Sequence, residues 1–92
     1  MNVFEAVKQT VTTRQAAESY GIHVNRAGKA RCPFHNDRTP SMKVDKRFHC
    51  FGCGVDGDVI DFTAQLYGLD AMSAGEKLAA VFQIYYTDLK RK

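Results

Sequence analysis

Apolar and polar residues mix at helical spacing over residues 3–8, which predicts one or two turns of amphipathic helix. Thr12-Thr13-Arg14-Gln15 has the form of a capping box, with Thr12 as N-cap and Gln15 three residues on. A helix over 13–20 follows, with Ala16, Ala17 and Tyr20 on its apolar stripe, and Gly21 stands where a left-handed glycine closes a helix. Ile22-His23-Val24 alternates like an edge strand, 25–28 reads as a turn, and 29–32 is a short strand broken by Pro33.

After a turn-rich stretch over 36–40, Ser41-Met42-Lys43-Val44 and Arg47-Phe48-His49-Cys50 both alternate, and the two predict a β-hairpin. A two-residue turn would set Val44 opposite Arg47. A three-residue turn, Asp45-Lys46-Arg47, sets Val44 opposite Phe48 and Met42 opposite Cys50, and only this register gathers Met42, Val44 and Phe48 on one face. Lys43 and His49 then share the outward face.

Gly52, Gly54 and Gly57 form a glycine-rich knuckle. Asp56 or Gly57 is expected to cap the next helix, with Asp58 and Asp61 at its positive end. That helix runs to about Tyr67 with Val59, Phe62 and Leu66 on its buried stripe, and Gly68 stops it. A last helix over about 70–82 carries Leu78, Val81 and Phe82, and 83–92 takes no assignment. The expected architecture is a single α+β domain over 1–92, with its core in about 13–82.

A chain of 92 residues supports a small core at best, so a metal, a disulfide or a partner is expected to assist it. With 45% hydrophobic and 25% charged residues and two prolines, the sequence is neither a disordered tail nor of low complexity. No apolar run nears the roughly 18 residues of a membrane span, and the N-terminus lacks the pattern of a secretory signal. A cytoplasmic protein without membrane contact is the expectation, and the small size lowers the prospect of catalysis.

The net charge of +3 hides a polarised chain. Residues 26–47 carry Arg26, Lys29, Arg31, Arg38, Lys43, Lys46 and Arg47 against Asp37 and Asp45, a net of +5. Residues 48–89 hold Lys77 against five aspartates and Glu76, a net of −5, and the last three residues add +3. A basic block of this kind suits a polyanionic partner, and equally a solvated surface.

All three cysteines fall into one constellation: Cys32-x-x-His35, fourteen residues, then Cys50-x-x-Cys53. An odd cysteine count argues against a pure disulfide framework, and no βαβ unit surrounds Cys50-x-x-Cys53 to make it a redox motif. Each x-x spacing lets a tight turn aim two side chains at one ion, and the hairpin returns the second pair to the first. Three thiolates and an imidazole suit Zn²⁺ over Mg²⁺ or Ca²⁺, with iron a rarer choice at this spacing. Four protein ligands leave no open position, so the metal is expected to be structural. His49, next to Cys50 on a strand, points to the opposite face and is not expected to ligate, while His23 is assigned to packing.

The run Cys32-Pro33-Phe34-His35-Asn36-Asp37-Arg38-Thr39-Pro40-Ser41, followed by Phe48-His49-Cys50-Phe51-Gly52-Cys53-Gly54, resembles the zinc-binding (CHC2 zinc finger) domain of bacterial-type DNA primases. The resemblance covers about 13–82. It implies a zinc ribbon: an antiparallel β-sheet with the metal at one end, flanked by helices. It further implies a role in primer synthesis, recognising single-stranded template DNA, with Cys32, His35, Cys50 and Cys53 as zinc ligands. The outward strand residues Lys29, Arg31, Lys43 and His49 would meet DNA, joined by Lys46 and Arg47 at the hairpin tip.

Of the aromatic residues, Phe34, Phe48, Phe51 and Phe62 are all candidates to stack on bases; most are expected in the core of so small a domain, and Phe51, between the last two ligands, is the one expected to be exposed. The loop between Val44 and Phe48 looks shorter than in cellular primases, and the polymerising domain of the family is absent from the sequence. Asp56, Asp58 and Asp61 fit helix capping rather than catalysis, so no catalytic residue is expected. The implied partners are a separate primase polymerising domain or a replicative helicase. Both an excised domain and a stand-alone protein of a phage or mobile element stay open.

Two rivals fit less of the chain. The first is a helix-turn-helix regulator built on 13–22, which lacks a second helix because Gly28 and Cys32-Pro33 interrupt it. The second is a zinc ribbon used for protein contacts within a replication or transcription complex.

Overall fold

The structure, a computed structural model, describes residues 2–36 and 38–86. Its elements run α1 (Val3–Thr10), α2 (Thr13–Ser19), β1 (Lys29–Ala30), β2 (Met42–Val44), β3 (Phe48–Cys50), β4 (Asp56–Gly57), α3 (Val59–Tyr67) and α4 (Ala71–Phe82). The four strands form one antiparallel meander in the order β1-β2-β3-β4. This is the expected α+β architecture, a small sheet with helices on one side.

Local chemistry sets the helix ends. Asn2 caps α1 by accepting from the Glu5 N–H. Thr12 and Gln15 form the expected reciprocal box on α2. At the other end of α2 the Ile22 N–H donates to the Ala17 carbonyl and the Gly21 N–H to that of Glu18. This closure needs a left-handed residue, and Gly21 supplies it with φ of 85°. The N-cap of α3 is Asp58, not Asp56 or Gly57, because those two residues pair with β3 as a fourth strand.

Asp58 also meets Lys8 of α1 at 3.1 Å. Partial burial opposes the Asp58 carboxylate, but the Asp61 N–H and the Lys8 ammonium outweigh it and hold its carboxyl below the usual range. A depressed carboxyl stabilises the fold above its unfolded-state pKa, and that contribution is lost as pH falls through the folded value.

Two buried clusters meet along the helices. One joins α1, α3 and α4 through Val3, Val7, Val11, Val59, Ile60, Ala74 and Leu78. The other joins the inner sheet face to the helices through Ala17, Val24, Met42, Val44, Phe48 and Phe62. Two of the cysteines, Cys32 and Cys50, belong to this second cluster. Phe62 lies at its centre, with ring centroids 5.1 Å from Phe48, 5.7 Å from Phe34 and 6.5 Å from Tyr20.

The hairpin takes the register expected for a three-residue turn: Met42 opposite Cys50, Lys43 opposite His49 and Val44 opposite Phe48. Its tip is tied down by α2. The N–H groups of Thr13 and Arg14, which have no partner within the helix, donate to the Lys46 and Asp45 carbonyls. The buried Thr13 hydroxyl donates to the Lys46 carbonyl as well, at 2.8 Å.

Two expectations need correction. Ile22-His23-Val24 keeps its alternation, with Val24 buried and His23 exposed, but forms no strand. The segment is bounded by other commitments: the Ile22 N–H closes α2, and just past Val24 the Asn25 N–H donates to the Lys29 carbonyl to close a turn. Val81 is 47% exposed rather than in the stripe of α4. The buried face centres on Ala74, Gly75, Leu78 and Ala79, and Val81 lies roughly a quarter turn to one side. The chain after α2 enters the 25–28 turn and β1, so no recognition helix follows and the helix-turn-helix reading fails.

Candidate metal centre and nucleic-acid interface

β1 ends at Ala30, two residues short of the strand expected over 29–32, and Cys32 lies just beyond it, before Pro33. The Cys32 sulfur accepts the Phe34 N–H at 3.4 Å as the chain turns to bring His35 back. Cys50 ends β3, and the tight turn beyond it aims the Gly52 and Cys53 N–H groups at its sulfur at 3.3 and 3.4 Å. Each pair of ligands is thus set by one turn, and the β2–β3 hairpin joins the turns.

The four ligand atoms of Cys32, His35, Cys50 and Cys53 lie within 4.8 Å of one another. Zn–S bonds of about 2.3 Å at the tetrahedral angle place two sulfurs about 3.8 Å apart. The Cys32 and Cys53 sulfurs are 3.8 Å apart. His35 Nε2 stands 3.2 Å from the Cys50 sulfur. A Cβ at position 52 would sit 3.0 Å from the His35 ring, so the glycine there leaves the imidazole its place. Donor set and spacing fit one zinc ion, and four protein ligands make it structural.

The thiols are unlike one another before metal arrives. Burial pushes the Cys32 thiol up to about 12. Burial opposes ionisation of Cys50 too, but the Cys53 N–H, the Ser41 hydroxyl, His35 and the Gly52 N–H outweigh it and bring that thiol down to about 6. A bound cation's own charge favours the thiolate form of its cysteine ligands. With three thiolates on Zn²⁺ the loaded cluster carries a net charge of about −1.

The outer sheet face carries a row across all four strands: Lys29, Lys43, His49 and Asp56, each opposite the next. Arg31 continues the outward face of β1, and Lys46 and Arg47 stand exposed at the hairpin tip. Phe51 is 67% exposed, beside the last two ligands, with its ring centroid 4.7 Å from that of His49. The structure thus sets Lys29, Lys43 and His49 side by side across the middle of the face, with Lys46 and Arg47 at the hairpin tip and Arg31 and Phe51 toward the metal end, where the Phe51 N–H donates to the Ser41 carbonyl. His49 points away from the metal, as strand alternation requires.

Sequence reasoning missed Asp56, whose carboxylate lies 3.8 Å from His49 Nδ1 and ends the basic row. It also missed the hold of α2 on the hairpin tip. Neither left a local signal: a two-residue strand shows no periodicity, and Thr13 and Lys46 are 33 residues apart. Among the described residues no helix is long and apolar enough to cross a membrane.

The chain is similar to known proteins in sequence and in fold. The sequence model of the CHC2 zinc finger matches residues 1–92. The DNA primase of Thermotoga maritima is 39% identical over 83 residues, covering 84% of this chain and 14% of that protein. The DNA primase of Rickettsia bellii is 36% identical over 96 aligned residues, covering 100% of this chain and 14% of that protein. The chain therefore spans about one seventh of the curated relatives it matches. The crystal structure of the Aquifex aeolicus primase, comprising zinc-binding and RNA polymerase domains, matches all of this chain and 24% of that one at a TM-score of 0.81 and 28% identity. With the ligand set, the sheet and the helices all accounted for, the chain belongs to the CHC2 zinc finger family, the zinc-binding domain of DNA primases.

Proposed function

We propose that the chain is a single-domain module, cytoplasmic and non-catalytic by itself, that holds single-stranded template DNA for primer synthesis on the outer face of its sheet. The observation that carries this reading is the exposed basic set Lys29, Arg31, Lys43, Lys46 and Arg47 on and beside the sheet whose hairpin joins the two ligand pairs. Cations at these positions suit phosphates, and Phe51 with His49 offers ring faces to unpaired bases. Asp58 and Asp61 are committed to the cap of α3. The polymerising chemistry then belongs to a separate domain or subunit, and a replicative helicase is the other partner this reading implies.

Replacing Arg31 and Lys43 together by alanine should weaken binding of single-stranded DNA and flatten its salt dependence by about one unit of slope per lost phosphate contact. A salt titration of wild type and double variant checks this. Equal binding by both would move the contact face elsewhere on the chain. No binding by either at low salt would favour a ribbon that contacts protein.

A further inference from the structure

Beside the edge strand β1 lies a groove of about 510 Å³, lined by Ile22, His23, Lys29, Arg31 and Pro40. Its volume is within the roughly 300–1,000 Å³ of small-ligand clefts. Ile22 and Pro40 supply apolar surface, Lys29 and Arg31 supply two fixed positive charges, and no described lining residue is a carboxylate. The cavity at the hairpin tip differs, because Asp45 and Asp56 stand among its cations. Lys29 in β1 and Arg31 just beyond it both line the groove, so two cations stand close together along its wall. His23, exposed, completes the lining.

We propose that this groove is a nucleotide subsite: it seats one unpaired base against Ile22 and Pro40 while Lys29 and Arg31 hold the phosphates on either side. The proposal rests on the DNA-binding reading above and extends it. It places a base-contacting pocket at the β1 edge, away from the aromatic pair at the knuckle. A strand lying across the face would then be held at both ends, by the groove and by His49 with Phe51.

The test uses the zinc-loaded chain, isotope-labelled for NMR, with a short oligothymidylate as probe. The oligonucleotide should shift the Ile22 methyl and His23 ring resonances. His23→Glu, which adds a negative charge at an exposed position, should weaken binding about tenfold with zinc content unchanged, since it opposes both phosphate contacts. Gln65→Glu, an equal charge change on the exposed side of α3, should leave binding as it is. Lys46→Ala should weaken binding while the Ile22 and His23 shifts persist. If the shifts are confined to the hairpin tip and His23→Glu binds like wild type, the subsite is wrong and the DNA-binding reading survives. If inorganic phosphate reproduces the Ile22 shifts, the groove is a plain anion site and the subsite is again wrong. If the oligonucleotide does not bind at low salt, both readings fall.

Discussion

Removing zinc should unfold the sheet and leave the helices partly formed. Cys32 and Cys50 are buried members of the cluster that joins the sheet to the helices, so the metal centre and that cluster are one structure. The strands are too short to stand alone: β1 and β4 have two residues each, and β2 and β3 three. A structural zinc contributes on the order of 10–16 kcal/mol of apparent binding energy, against a net few kcal/mol from a core this small. The cluster of α1, α3 and α4 contains no zinc ligand and has its own caps, which is why partial helix should remain. Chelation, or Cys50→Ala, should therefore abolish the dispersed amide resonances of 42–50 and keep much of the helical circular dichroism. Retention of the β2–β3 cross-strand contacts in a metal-free chain would contradict the account.

Phe62→Ala should cost about 3–5 kcal/mol in the zinc-loaded protein, the usual range for deleting a buried aromatic ring. The Phe62 side chain is fully buried and is met edge-on by the rings of Phe34 and Phe48. It carries α3 onto the sheet, so its loss opens a void where the two layers meet. The cavity cannot collapse easily, because Phe48 is fixed by its place opposite Val44 and Phe34 by its place between two ligands. Denaturant unfolding at saturating zinc measures the effect, and a loss below about 1 kcal/mol would show that Phe62 is not the packing centre described here.

The metal centre and the hairpin were legible in the sequence because each is written locally. Ligand pairs at x-x spacing are a turn geometry, and the alternation of Met42, Val44 and Phe48 admits one register. The Thr12 box and the closure at Gly21 are equally local. What stayed hidden depends on distant partners. The alternation at 22–24 resembled a strand, but a strand exists only where a neighbour supplies a ladder, and the neighbouring backbone groups were already engaged in a helix closure and a turn. Asp56 and Gly57 resembled a cap because their pairing with His49 and Phe48 leaves no trace in two residues. The lysine at the hairpin tip is held through its carbonyl by a threonine of α2, a contact no local pattern encodes.

The central claim is that architecture, not bulk charge, makes this chain a DNA-binding module. The two are separable because chelation leaves every lysine and arginine in place and removes a cluster of net charge about −1. On charge alone the metal-free chain should bind single-stranded DNA at least as well as the loaded one. The direct measurement is the affinity of one chain for one oligonucleotide at low salt, before chelation, after it, and after zinc is restored. The account predicts loss of binding with the metal and recovery when it returns. Equal affinity and equal salt dependence with and without zinc would contradict it.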